Sequence, residues 1–361
     1  MKNNRWVVDD ILNQKISVDQ LNPKDLENMN NEWNHVSKPL GSFGKFEKVY
    51  SRIAVIQKQD VADLSHMKLV VFCGDHGIVE EGVSQTGQEV TGICAQNIGR
   101  GLTTAGVMAN SLGVEICAVD VGIHSDSDIP HTKNCRIKKG TNNFLKEPAM
   151  TVPELKAAIQ VGMDEALESK ENGIRCLLVG EMGIGNTTSA AVMAGYFLGL
   201  DAHTVTGRGA GIDDGAFQRK QQVVETALSM YQNLSTLEIC SYFGGLELAA
   251  MTGLILGGAL YGVPVILDGM LSMISALSAE RLLEHTKDYV IASHMSKEPV
   301  AKSLAKELSL QPVIYGNMAV GEGAGALMLL PQLRLTDVVF REALKFGDSG
   351  VDQYKNYEEE K

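Results

Sequence analysis

The chain has 361 residues and a formal charge of −12, from 44 acidic and 32 basic side chains, a balance that argues against nucleic acid or an anionic membrane as main partner. Its 44% apolar and 21% charged residues fit a soluble globular protein with one large α/β domain plus an appendage, or two ordinary domains. No apolar run reaches membrane-spanning length, Asp9 and Asp10 interrupt any signal-like start, and six scattered cysteines without a C-x-x-C pair read as the reduced thiols of a cytoplasmic protein.

Residues 1 to about 35 are polar and helical in pattern. Short, near-continuous apolar runs then alternate with helical stripes. Strands are predicted at 68–73, 114–119, 174–179, 263–267, 288–292 and 312–315, the pattern of parallel strands covered on both faces. Between them, Thr151-Val152-Pro153-Glu154 reads as a capping box with an early proline, and Leu155, Ile159, Met163 and Ala166 follow at helical spacing. Val223, Ala227, Met230 and Leu234 form another stripe. Alternation of this kind predicts an α/β fold with a mostly parallel, doubly wound sheet, which binds ligands beyond the carboxyl ends of its strands. A helical stretch is expected near 336–345, followed by a frayed, charged tail at 357–361. The expected division is a small helical subdomain from residues 1–35 and 332–361, and a large domain over 36–331.

Three glycine-rich turns carry the chemistry. Gly180-Glu181-Met182-Gly183-Ile184-Gly185-Asn186-Thr187-Thr188 follows a strand and opens an apolar helix. Backbone N–H groups and a helix dipole there make a phosphate site, with Asn186, Thr187 and Thr188 as further donors. A tight turn with an N-cap is the plain alternative. Gly207-Arg208-Gly209-Ala210-Gly211-Ile212-Asp213-Asp214 precedes Lys220. Arg208 and Lys220 offer cations to an anionic substrate, while Asp213 and Asp214 read as helix caps rather than metal ligands. In Gly321-Glu322-Gly323-Ala324-Gly325-Ala326, a carboxylate sits between glycines, where the backbone can approach a ligand; a helix-starting acid is the alternative. Gly74-Asp75-His76-Gly77 and the segment 293–299 also end strands. No Ser-His-Asp series or zinc set stands out, and no metal or cofactor is expected.

Together these segments closely resemble the nicotinate-nucleotide:dimethylbenzimidazole phosphoribosyltransferase family. The matching pieces are KPLGSFGKFE at 38–47, Gly74–Gly77 with Gly82-Val83-Ser84 and 88–91, GEMGIGNTT at 180–188 and GRGAGIDD at 207–214. GGLELAAM at 244–251, PVILDG at 264–269, 293–299 and GEGAGA at 321–326 complete the series in family order. The resemblance implies a Rossmann-like large domain, a small helical domain from both chain ends, and a homodimer with active sites near its interface; a heterodimer with a paralogue is the variant arrangement. It implies phosphoribosyl transfer from nicotinate mononucleotide to an aromatic base in making the lower ligand of a cobamide, giving an α-ribotide and nicotinate. Glu322 matches the family's general base, and Glu181 a second active-site acid. Gly183, Ile184, Gly185, Asn186, Thr187 and Thr188, with Arg208 and Lys220, match the phosphate and ribose side. Ser84, Gln85, Thr86, Gln88, Val320, Asp75 and His76 fall on the base side.

The departures lie on the base side. Gln85-Thr86-Gly87 stands where the family commonly has Ala-Tyr-Pro, and Met318-Ala319-Val320 where it has Met-Arg-Leu. These exchanges change the volume and polarity of the base slot, so the expected acceptor is dimethylbenzimidazole, another benzimidazole, a purine or a phenol. A nucleotide-dependent oxidoreductase would need a third glycine where Thr188 stands. A catalytically silent dimer partner would have no need of both Glu181 and Glu322.

Overall fold

The computed structural model describes residues 5–355 of the chain, so the expected tail at 357–361 lies outside the described residues. Six strands, β1 (Met67–Gly74), β2 (Glu115–Gly122), β3 (Lys133–Asn134), β4 (Cys176–Met182), β5 (Val265–Leu267) and β6 (Val290–Ala292), form one sheet in the order β3-β2-β1-β4-β5-β6. Every neighbouring pair is parallel. The order reverses direction at β1 and β4, which places the crevice of a doubly wound sheet beyond their carboxyl ends.

Period-two alternation explains why the strands are apolar throughout. Val70 and Phe72 of β1, with Leu177 and Val179 of β4, enter one core together with helices Val152–Glu171, Asn186–Leu198, Leu246–Tyr261 and Met270–Leu282. Leu69, Val71 and Cys73, with Cys176 and Leu178, enter the other core against helices Lys45–Ile56, Glu89–Gly99, Thr104–Leu112 and Ala324–Glu342. Local signals start the helices where the sequence places them. Thr151 and Glu154 complete a reciprocal capping box, and the Asp213 carboxylate accepts from Ala216 N at 2.8 Å to cap helix Asp214–Met230. All six cysteines are free thiols. Among the described residues no helix is long and apolar enough to cross a membrane.

Three expectations about elements differ from the structure. The two-residue strand β3 pairs with Val119 and Asp120 but has no apolar run to announce it. Residues 312–315 make only a bridge from Ile314 to His294: Val313 N and Ile314 N both donate to Ser293 O, so the amides converge on one carbonyl instead of forming a ladder. Residues 286–289 are a 3-10 turn, which delays β6 to Val290.

Segments from the N-terminal and C-terminal parts of the described residues touch. Trp33 packs on Phe340 with ring centroids 4.8 Å apart and on Tyr50 at 5.5 Å, and Val36 pairs with Lys345. Yet helix Ala324–Glu342 runs unbroken through the position after 331, and Leu329, Leu330 and Leu333 are fully buried in the second core. Helix Val8–Leu12 lies elsewhere, against helix Val152–Glu171, where Val8 N donates to Gln160 Oε1 at 3.0 Å.

Candidate active site

The carboxyl ends of β4, β5 and β6 surround a cavity of about 220 Å³. One wall is the turn after β4. Glu181 and Met182 finish the strand, Gly183 and Ile184 turn the chain, and Gly185, at φ +98°, leads into helix Asn186–Leu198. The turn is fixed by bonds of Asn186 N to Gly183 O (3.2 Å), Thr188 N to Gly185 O (3.0 Å) and Ile184 N to Thr91 Oγ1 (3.2 Å). The helix start thus faces the cavity with its partial positive charge.

Lys220 reinforces that positive end from behind. It projects from helix Asp214–Met230, is 1% exposed, and donates through Nζ to Thr187 Oγ1 at 2.8 Å. Burial pulls its ammonium down to about 8, against the opposing pull of Glu298, which lines the same cavity. It has no ion pair among the described residues. A phosphate resting on Thr187 would supply the missing negative charge.

The same cavity also carries acidic groups. Gly321, Glu322 and Gly323 have φ of +82°, +58° and +86°, a left-handed run that costs a glutamate about 1 kcal/mol or more. Asp268, at the end of β5, holds it: Oδ2 accepts from Gly323 N at 3.1 Å and Oδ1 from Gly325 N at 2.7 Å. Glu322 Oε2 also accepts from Ala105 N at 3.3 Å, in the first turn of helix Thr104–Leu112. Glu181 faces this turn and accepts from Asn186 Nδ2. Burial, and then Asp268 and Glu247, push its carboxyl up to about 8, which keeps it protonated at neutral pH. Burial also raises Asp268 and lowers His294, which face each other across 4.0 Å.

Of the residues expected from sequence, Glu181, Glu322, Gly183, Ile184, Asn186, Thr187 and Val320 line the cavity. Gly185 packs on Val79 and His76, and Thr188 is fully buried behind the turn. Arg208 is directed elsewhere: it donates to Ile212 O and Asp214, and it stacks over Phe217 at 4.6 Å. Its neighbours Gly209 and Ala210 reach the cavity instead.

The expected base-side residues of the 75–88 segment lie outside the lining of this cavity. Asp75 is fully buried and accepts from Thr91 Oγ1 (2.6 Å) and His124 N (2.8 Å), with burial raising it to about 6. His76 is also fully buried, with Nδ1 2.8 Å from Ser189 Oγ and Nε2 2.6 Å from Glu247 Oε1. Both side chains are spent on holding the turns together and neither lines the cavity. Gln85 donates to Gly211 O, Gln88 bonds His76 O and the His124 ring, and Ser84 Oγ accepts from Thr86 N. These four also stand outside the cavity lining.

Sequence reasoning did not nominate Asp268, His294, Ser296 or Glu298, which line it, nor the apolar wall of Met251, Met270 and Leu271. The signal was present in part, because segments 264–269 and 293–299 both put polar residues at a strand end.

Comparisons with known proteins identify the family. Residues 18–351 match the profile of a family described as Phosphoribosyltransferase. The nicotinate-nucleotide–dimethylbenzimidazole phosphoribosyltransferase of Ruminiclostridium cellulolyticum is 34% identical over 344 residues, 95% of this chain and 98% of that one. The protein of the same name from Pseudomonas putida is 36% identical over 319 residues, 88% and 91% of the two chains. The crystal structure of CobT from Thermus thermophilus superposes with a TM-score of 0.86 at 33% identity, covering 92% of this chain and all of that one. The chain therefore belongs to the nicotinate-nucleotide–dimethylbenzimidazole phosphoribosyltransferase family.

Proposed function

We propose that the chain transfers the phosphoribosyl group of nicotinate mononucleotide to an aromatic lower-ligand base of a cobamide, releasing nicotinate and forming an α-ribotide. One observation carries this reading: a single cavity is lined both by a helix start backed by Lys220 and by the carboxyl groups of Glu181 and Glu322.

The nucleotide phosphate rests on the first turn of helix Asn186–Leu198, with Thr187 and Lys220 as donors. This fixes C1′ of the ribose near the two carboxyl groups. The C1′–N bond electrons go to the pyridinium nitrogen, which leaves neutral, and positive charge develops on the ribose beside the carboxyl groups. A ring nitrogen of the acceptor bonds C1′ from the opposite face, and Glu322 takes the proton from its N–H. Glu181, raised to about 8 by burial, is drawn towards its ionised form when the cationic ring approaches. Met251, Met270 and Leu271 offer an adaptable apolar wall to an aromatic ring.

The acceptor class is read as dimethylbenzimidazole, another benzimidazole, a purine or a phenol, the last losing its hydroxyl proton to Glu322. Support comes from Ala319 and Val320 at the cavity mouth, where the small side chain and the 54% exposed valine leave the slot open. Mass spectrometry of products from nicotinate mononucleotide and a panel of azoles, purines and phenols tests it. Exclusive use of dimethylbenzimidazole would narrow the acceptor, and no ribotide from any base would refute the reading.

The working unit is read as a homodimer. Ile93, Leu102 and Val107 are exposed on and between helices Glu89–Gly99 and Thr104–Leu112, the second of which touches Glu322. A second copy covering that apolar face would close the site. Sedimentation analysis of wild type and Val107→Glu tests this, with the variant expected to be monomeric.

A further inference from the structure

A second cavity, of about 250 Å³, opens at the free edge of β6, between helices Pro23–Glu32 and Lys45–Ile56 and the loop at 309–311. It is close in size to the catalytic one but opposite in character. Lys45, Lys48 and Arg52 recur at helical spacing and line one wall, and no acidic side chain lines any part of it. None of the three is in an ion pair among the described residues. In a chain of charge −12, three uncompensated cations around one cavity run against the overall balance.

The donors are only partly used. Lys45 Nζ gives bonds to Pro312 O (2.7 Å) and Tyr315 Oη (3.2 Å), one fewer than its three hydrogens allow. Arg52 makes one long bond, to Val290 O at 3.4 Å, and its guanidinium is held below its usual pKa by burial with only the charge of Asp288 opposing. Asn30 Oδ1 is buried with no partner among the described residues, a cost that a donor from a ligand would remove.

We propose that this cavity binds a sugar phosphate: Arg52, Lys48 and Lys45 take the phosphate, and Asn30 Oδ1 accepts from a hydroxyl of the sugar. Leu26, Val49 and Leu310 supply the apolar surface against which a sugar ring packs. The site is separate from the phosphate turn at Thr187, which belongs to other elements.

Calorimetric titration of ribose 5-phosphate and of inorganic phosphate tests the site. It is run on Lys220→Gln protein, whose catalytic phosphate turn has lost its buried cation, and on the same protein carrying Arg52→Gln or Lys48→Gln. One equivalent of ribose 5-phosphate is expected to bind to Lys220→Gln protein, more tightly than inorganic phosphate, which lacks the hydroxyl-bearing ring. Arg52→Gln and Lys48→Gln should each weaken it about tenfold or more, and Lys48 is exposed, so its variant keeps the fold. Phosphoribosyl transfer by Lys48→Gln should stay within about twofold of wild type. The proposal is overturned by the lack of ribose 5-phosphate binding, by binding indifferent to both substitutions, or by inorganic phosphate binding as tightly as the sugar phosphate.

Discussion

Gly180 and Glu322 meet backbone to backbone: a Cβ on Gly180 would stand 2.5 Å from both the carbonyl carbon and the carbonyl oxygen of Glu322. The contact seats the Gly-Glu-Gly turn directly on β4, so that the two acids of the site share one rigid support. Gly180→Ala puts a methyl group where the neighbour is main chain and cannot rotate away. The variant should lose about 1–3 kcal/mol of stability in denaturant unfolding. Transfer activity should fall further than nucleotide affinity, because the strain displaces Glu322 and leaves the helix start at Asn186 in place.

Asp268 secures the same turn through the amides of Gly323 and Gly325. Asn at this position keeps the shape but offers one good acceptor instead of two. Asp268→Asn is expected to lower kcat by about 10- to 100-fold, the worth of a charge-assisted hydrogen bond. KM for nicotinate mononucleotide should move little. A large rise in KM with kcat intact would mean that Asp268 grips the nucleotide itself.

Lys220 gives the nucleotide affinity a pH dependence. Its ammonium, lowered by burial to about 8 from 10.5, is charged and able to hold a phosphate below that pH and neutral above it. KM for nicotinate mononucleotide should therefore climb as pH rises beyond about 8, while Lys220→Met should have a high KM without this alkaline climb. Steady-state kinetics across the alkaline range check both.

Glu181 makes a contrasting statement about stability. Its folded pKa of about 8 lies above the usual 4.5. Between those values the unfolded chain ionises this carboxyl and the folded chain does not. Its contribution is therefore full below the lower value and lost as pH rises through the upper one. Glu181→Gln cannot ionise and escapes that loss. Its melting temperature should gain on wild type between about pH 5 and about pH 9. A gap independent of pH would mean that Glu181 is already ionised in the free protein.

Much of the sheet and of the turn after β4 was legible in sequence because local rules govern them. Apolar runs make parallel strands, Asp213 caps a helix, and the glycines of 183–185 turn a strand into a helix start. The acidic groups were legible as separate motifs only. Glu181, Asp268 and Glu322 sit far apart in the chain, and the raised carboxyls of Glu181 and Asp268 arise first from the burial that folding imposes. Asp75 and His76 were misread for the same reason. A polar pair at a strand end suggests a ligand crevice, but Thr91, Ser189 and Glu247, brought in from other elements, satisfy both side chains inside the protein. Arg208 likewise had its partner, Asp214, within its own loop.

The account rests on Glu322 as the base of a transfer whose donor is held elsewhere in the cavity. Its most direct test is single-turnover formation of α-ribotide and nicotinate by wild type and Glu322→Gln, with nicotinate mononucleotide binding measured on the same samples. The account predicts a loss of about 100- to 10,000-fold in the transfer rate with nucleotide affinity nearly unchanged. Full-rate transfer by Glu322→Gln would contradict it.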